Sequence, residues 1–179
     1  GRATKALPSK AQPLPVPGIE RDFVLDHEAA LSRIGALGQR VVILDAVGHI
    51  EAIGLGELVA ASGAEAIVVT PMALPMALDR ETSTYALSRA VSAGMRWRPN
   101  TALAAVGERE VTLVDVFARR PEIVREVDTL VIRTHGRAAA ELYFALEGKV
   151  PELVRVGDAV AVRYADRAVF DGHMAGRAL

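Results

Sequence analysis

Two short runs of β-branched residues, RVVILD at 40–45 and AIVVT at 66–70, flank a glycine-bearing stretch, and that arrangement leaves few folds open. Neither run alternates with polar residues. Unbroken apolar runs of this length suit parallel strands covered on both faces, because an antiparallel strand with one wet face would alternate. A glycine-bearing loop at 46–54 and a helix over 55–62, stopped by Gly63, fill the gap. The sequence therefore predicts a strand, loop, helix and parallel strand, which close by a right-handed crossover.

The flanking segments extend that unit. A helix fits 26–37, with Asp26 as its cap, Ala29, Ala30, Ile34 and Leu37 as its apolar stripe, and Gly38 at its end. Another fits 82–93, ending at Gly94. At 102–106 and 110–116 the pattern changes to alternation around Gly107, which predicts a hairpin. A further buried strand at 129–133 (TLVIR), a helix at 138–146, a short strand at 153–156 and a closing helix at 163–179 complete the chain. The expected class is α/β, a Rossmann-like three-layer sandwich with a mostly parallel sheet and a small antiparallel insertion. Pro8, Pro13, Pro15 and Pro17 make the start a linker, since each removes an amide donor and extends its predecessor.

Composition narrows the chemistry. The chain has no cysteine, which excludes a disulfide scaffold, a thiolate metal site, an iron–sulfur cluster and a cysteine nucleophile within it. A net charge of −1 gives no electrostatic reason to expect nucleic acid or an anionic membrane. No apolar run approaches the roughly 18–20 residues of a membrane helix, and no signal-like segment opens the chain, so a cytoplasmic home is expected.

Two places suit a ligand. The first is the loop after the 40–45 strand. In a dinucleotide-binding unit, glycines there let the backbone approach a pyrophosphate, whose oxygens sit on helix N-terminal amides. Gly48, Gly54 and Gly56 are present, but not in the G-x-G-x-x-G register. Asp45 stands where the first glycine belongs and would repel a phosphate. The plainer reading is that these glycines permit a turn and close helix packing. The second place is Gly157-Asp158, at the carboxyl end of the expected 153–156 strand. An aspartate there can accept hydrogen bonds from ribityl or ribose hydroxyls, and a following helix offers amides to a phosphate. Taken alone, Gly-Asp is a common turn.

The segment VGDAVAVRYADRAVFDGHMAGRAL resembles the C-terminal flavin-domain signature of the trimethylamine dehydrogenase and 2,4-dienoyl-CoA reductase family. Gly157, Asp158, Arg163, Ala168, Val169, Asp171, Gly172 and His173 match that pattern, and Val162 replaces its usual proline. Upstream, VDTLVIRTHGRAAAELYFAL resembles the family's Thr-x-Gly-Arg turn and the helix after it. The segment RVVILDAVGHIEAIGLGELVAASGAEAIVVTP resembles the inserted pyridine-nucleotide-like domain of the amine dehydrogenase branch, and Val16-Pro17-Gly18 the close of the flavin domain's first half.

The resemblance implies a piece of a larger flavoprotein: 1–25 a linker ending the first half of the flavin domain, 26–150 the inserted NAD(P)-binding-like domain, and 151–179 the last strand and helix of the FAD/ADP-binding domain. FMN and an iron–sulfur cluster would belong to a preceding barrel. FAD or ADP is the implied nucleotide, held weakly or not at all by this piece, and NAD(P)H the alternative. The implied partner is the remainder of the flavoprotein. Asp45, and the lack of an arginine pair after Thr70, favour the amine dehydrogenase branch. A scaffold domain without nucleotide affinity is the competing reading.

The remaining candidates have plainer explanations. His27, His49, His135 and His173 are too scattered to predict a metal site. His49 reads as a solvent-facing turn residue, and His173 as a packing or hydrogen-bonding one. Arg96-Trp97-Arg98 reads as a strand burying its tryptophan, rather than a platform for stacking a base. Arg119, Arg120 and Arg125, balanced by Glu122, Glu126 and Asp128, read as a solvated loop.

Overall fold

The computed structural model describes residues 16–178, of which 16–134 form one compact unit and 135–178 a second. In the first unit the elements run β1 (Val24–Asp26), α1 (His27–Leu31), β2 (Arg40–Asp45), α2 (Ile50–Ala61), β3 (Glu65–Val69), α3 (Arg80–Ser92), β4 (Arg96–Arg98), β5 (Thr101–Val106), β6 (Glu110–Asp115), β7 (Pro121–Arg125) and β8 (Thr129–Arg133). Five strands form a parallel sheet in the order β1-β8-β2-β3-β4, and β5-β6-β7 form an antiparallel one.

The period-2 geometry of a strand sends alternate side chains of β2 to opposite faces. Val41 and Ile43 join the core beneath α1, α2 and α3, with Val68, Ile53, Leu55 and Val59. Val42 and Leu44 join a second core with Leu103, Val106, Val111 and Leu113 from the antiparallel sheet. The three layers are therefore helices, parallel sheet and antiparallel sheet, which is the expected α/β class with its antiparallel insertion.

Glycine and aspartate set the fit. Gly56, on the inner face of α2, brings that helix against β3: a Cβ there would lie 2.6 Å from both Val68 Cγ2 and Met95 Sδ. At the amino end of β2, Asp128 Oδ2 accepts the amides of Gln39 (2.8 Å) and Arg40 (3.0 Å). Asp26 caps α1 through Ala29 N (2.8 Å), and Asp79 caps α3 through Thr82 N (2.8 Å).

Several sequence expectations need correction. The helix expected over 26–37 stops at Leu31, where the Ser32 hydroxyl donates to the Glu28 carbonyl, and a separate 3-10 turn follows at Ile34–Ala36. The helix expected to begin at Leu55 begins at Ile50, so Gly54 is helical. Arg125 belongs to a strand rather than a loop, because β7 pairs along β6 while its side chains, apart from the half-buried Val124, stay exposed. Trp97 is half-buried against the helical core, with Arg96 paired to Glu65 and Arg98 to Glu122.

The second unit contains α4 (Glu141–Leu146), a 3-10 turn at Gly157–Ala159, and α5 (Ala165–Ala178). The Arg155 guanidinium lies over the rings of Tyr143 (4.7 Å) and Phe144 (5.5 Å). The strand expected at 153–156 does not form: Val156 is extended, but the segment pairs with no strand among the described residues. An extended segment without a ladder partner is not a strand. None of the residues of α5 is buried. Among the described residues, no helix is long and apolar enough to cross a membrane.

Packing at Gly56 gives a direct test. Gly56→Ala is expected to destabilise the protein by about 1–3 kcal/mol, because the added methyl overlaps Val68 on a buried strand. Urea unfolding measures it; a variant as stable as the wild type would mean that α2 can move off the sheet freely.

Candidate functional site

Ligands of open α/β sheets bind beyond the carboxyl ends of strands, where the chain order reverses. Here that point is β2, flanked by its successor β3 on one side and the much later β8 on the other. Asp45 ends β2 and lies beside Arg133 of β8 in the register of the sheet. The chain leaves the sheet at Ala46, whose amide donates to the Arg133 carbonyl (2.9 Å), and turns at Gly48, whose φ is +74°.

The turn is closed by Asp45 itself. Its Oδ1 accepts the amides of Val47 (3.0 Å) and Gly48 (2.8 Å). The residue is fully buried, and Oδ2 has no hydrogen-bond partner. Burial pushes the Asp45 carboxyl above the ordinary aspartate range; the Gly48 and Val47 amides and the Arg133 charge pull it back in part. Gly48 is roofed by the segment after β3: its carbonyl accepts Ala77 N (2.9 Å), and a Cβ on it would lie 2.9 Å from Met72 Sδ and Met76 N. Gly54 lies apart from this turn, on α2, facing a groove lined by Leu31, Ile50 and Leu58. Gly56 packs the helix on the sheet, as described above.

A nicotinamide dinucleotide does not fit this turn. The two amides are taken, a carboxylate occupies their focus, and the glycine face is covered. Glu51 in the first turn of α2 adds a second carboxylate.

Glu51 is the hub of a cluster that sequence reasoning missed. Its Oε1 accepts from Arg133 Nη2 (3.0 Å), its Oε2 lies 2.6 Å from His49 Nδ1, and its carbonyl lies 3.2 Å from His27 Nε2. Burial pushes the Glu51 carboxyl upward, but its own backbone amide, Arg133 and His49 more than offset that, and its pKa lies below the ordinary value. His49 is thus half-buried and paired rather than solvent-facing. Arg133 and Glu51 are 82 residues apart, and no local pattern joins them. Among the described residues, no three or more metal-ligating side chains gather.

In the second unit the matched residues hold one another. Gly157 (φ +56°) donates its amide to Asp171 Oδ2 (3.3 Å), Asp171 pairs with Arg163, and a Cβ on Gly157 would lie 3.2 Å from Ala168 Cβ. Gly157, Arg163, Ala168 and Asp171 therefore form a folding constellation. Asp158 is exposed, and its carbonyl accepts Ala139 N (3.0 Å). The helix expected to present amides beside Asp158 does not begin until Ala165, and it carries Asp166 in its first turn. His173, expected to pack or hydrogen-bond, is exposed.

No protein-family model matches the sequence, and no curated protein does. Solved structures match its fold. A 6-hydroxypseudooxynicotine amine oxidase from Pseudomonas geniculata N1 superimposes with a TM-score of 0.82 at 24% identity, over 92% of this chain and 25% of that one. A histamine dehydrogenase from Rhizobium sp. 4-9 gives 0.85 at 19% identity, over 99% and 29%. A 2-naphthoyl-CoA reductase gives 0.78 at 22%, over 97% and 26%. The shared feature is the fold, and this chain spans only a quarter to three tenths of each of those proteins.

Asp45 makes a signed prediction about pH. Its folded pKa lies above the unfolded one, so between the two values the folded protein holds the extra proton. Stability contributed by Asp45 therefore falls as pH rises from the ordinary carboxylate pKa of about 4 through the raised value. Asp45→Asn is expected to flatten this decline, read from urea unfolding at stepped pH. An identical slope in the two proteins would assign the decline to other groups.

Proposed function

We propose that this chain is a nucleotide-binding-fold module of a flavin-dependent oxidoreductase of the amine dehydrogenase type, whose own role is structural and associated with FAD or ADP rather than with NAD(P)H. The observation that carries the reading is the closed first turn, where Asp45 occupies the amides that a dinucleotide would need. Support for the enzyme class comes from the fold likeness to an amine oxidase and a histamine dehydrogenase, which extends over 92% and 99% of the chain.

In this reading, residues 26–150 are the inserted domain and 151–179 close the flavin domain. Gly157 and Asp158 stand nearest the FAD or ADP, and FMN and the iron–sulfur cluster belong to the rest of the enzyme. The remainder of that flavoprotein is the partner, which accords with the exposed Val169, Phe170 and Met174 of α5. A reductase module that binds NADPH is the alternative, and no feature of the β2 turn favours it.

Calorimetric titration with NADPH, NADH, ADP and FAD tests the proposal. No saturable heat is expected with NADPH or NADH, and a Kd below about 0.1 mM for either would overturn the reading in favour of the reductase. Binding of ADP or FAD supports the flavin association. Silence with all four ligands removes that association and leaves a scaffold.

A further inference from the structure

We infer that Asp45 is a built-in replacement for a nucleotide phosphate, so that the β2–α2 turn is an anion site filled by the chain's own carboxylate. This rests on reading the module as a nucleotide fold that does not use its first turn. Three features act in favour of negative charge here, against the burial that opposes it. The Val47 and Gly48 amides converge on Asp45 Oδ1. The twelve-residue α2 starts just beyond the turn, and its N-cap His49 makes no side-chain capping bond to the helix amides. Arg133 lies in register on the neighbouring strand.

What sets Asp45 apart from an ordinary turn-capping aspartate is its burial. An exposed aspartate closes a turn while water satisfies its second oxygen. Asp45 is fully buried and Oδ2 has no partner, an arrangement that costs free energy and that serine or asparagine could relieve. A carboxylate at this place supplies what the converging amides favour, namely an anion. Met72 completes the closure, its thioether lying against the open face of Gly48. The ligand class excluded is a diphosphate, whether free pyrophosphate or the diphosphate of a nucleotide.

The test removes the two side-chain closures and leaves the Met76 backbone beside Gly48 in place. The 179-residue chain carrying Asp45→Gly with Met72→Ala is titrated with ADP and with inorganic pyrophosphate, beside the wild type and Met72→Ala alone. The double variant is expected to bind ADP at least about tenfold more tightly than the wild type, because two charge-assisted amide bonds become available. Pyrophosphate should compete, and Met72→Ala alone should remain like the wild type. Circular dichroism checks folding, and Asp45→Ala with Met72→Ala gives the same readout if glycine unfolds the turn. A folded double variant that gains nothing overturns the inference. So does an equal gain from Met72→Ala alone, which would make the covering loop, not Asp45, the obstacle. Wild-type binding of NADPH would instead strike the function proposed above, so the two failures are separable.

Discussion

The complete burial of β2 on both faces is the constraint from which the remaining geometry follows. A strand with no wet face must satisfy every amide and carbonyl within its sheet, because an unpaired group there would cost as much as a lost hydrogen bond. It therefore needs a parallel neighbour on each side, and β3 and β8 supply them in fixed registers. Slipping either register by one residue would send Val41 and Ile43 to the face that needs Val42 and Leu44. The position of Asp45 beside Arg133, and the direction in which the chain turns at Gly48, are consequences of that pairing.

The same burial explains what was legible in the sequence. The runs at 40–45, 66–70 and 129–133 could be read because two-sided burial leaves an unbroken apolar signature, and each lies within a residue of the observed strand. β1 escaped notice because three residues are too few to show a period, whereas the equally short β4 was legible through the large apolar Trp97 between two arginines. β7 was hidden because its exposed Glu122 and Arg125 carry the polar composition of a loop, while its pairing is made by the backbone. The start of α2 was placed late because Gly48 and Gly54 look like loop residues and His49 makes no capping bond. In the structure Gly56 is there to bring the helix close to Val68.

The candidate site was legible only in part. Asp45 could be singled out because it breaks a glycine pattern, and its effect on a phosphate follows from charge alone. That its Oδ1 takes the Val47 and Gly48 amides depends on the turn's conformation, which a broken motif does not specify. The Glu51, His49 and Arg133 cluster joins residues from two distant segments and exists only because β8 lies beside β2. The Gly157 pattern was recognisable as a signature, but its chemistry was not: the matching residues contact one another.

A first turn that depends on a ligand leaves its amides open without it, whereas this one closes the Val47 and Gly48 amides on its own aspartate. Arg133 directs its guanidinium to Glu51 and to the Thr134 carbonyl, so what favours the charged form of Asp45 is mainly backbone dipoles, and these offset its burial only in part. Dipoles fixed in a buried turn need no reorganisation and are little screened by salt, unlike an exposed ion pair. Of the two glycines in α2, Gly56 serves close packing on the sheet while Gly54 faces open space, so neither approaches the turn that Asp45 closes.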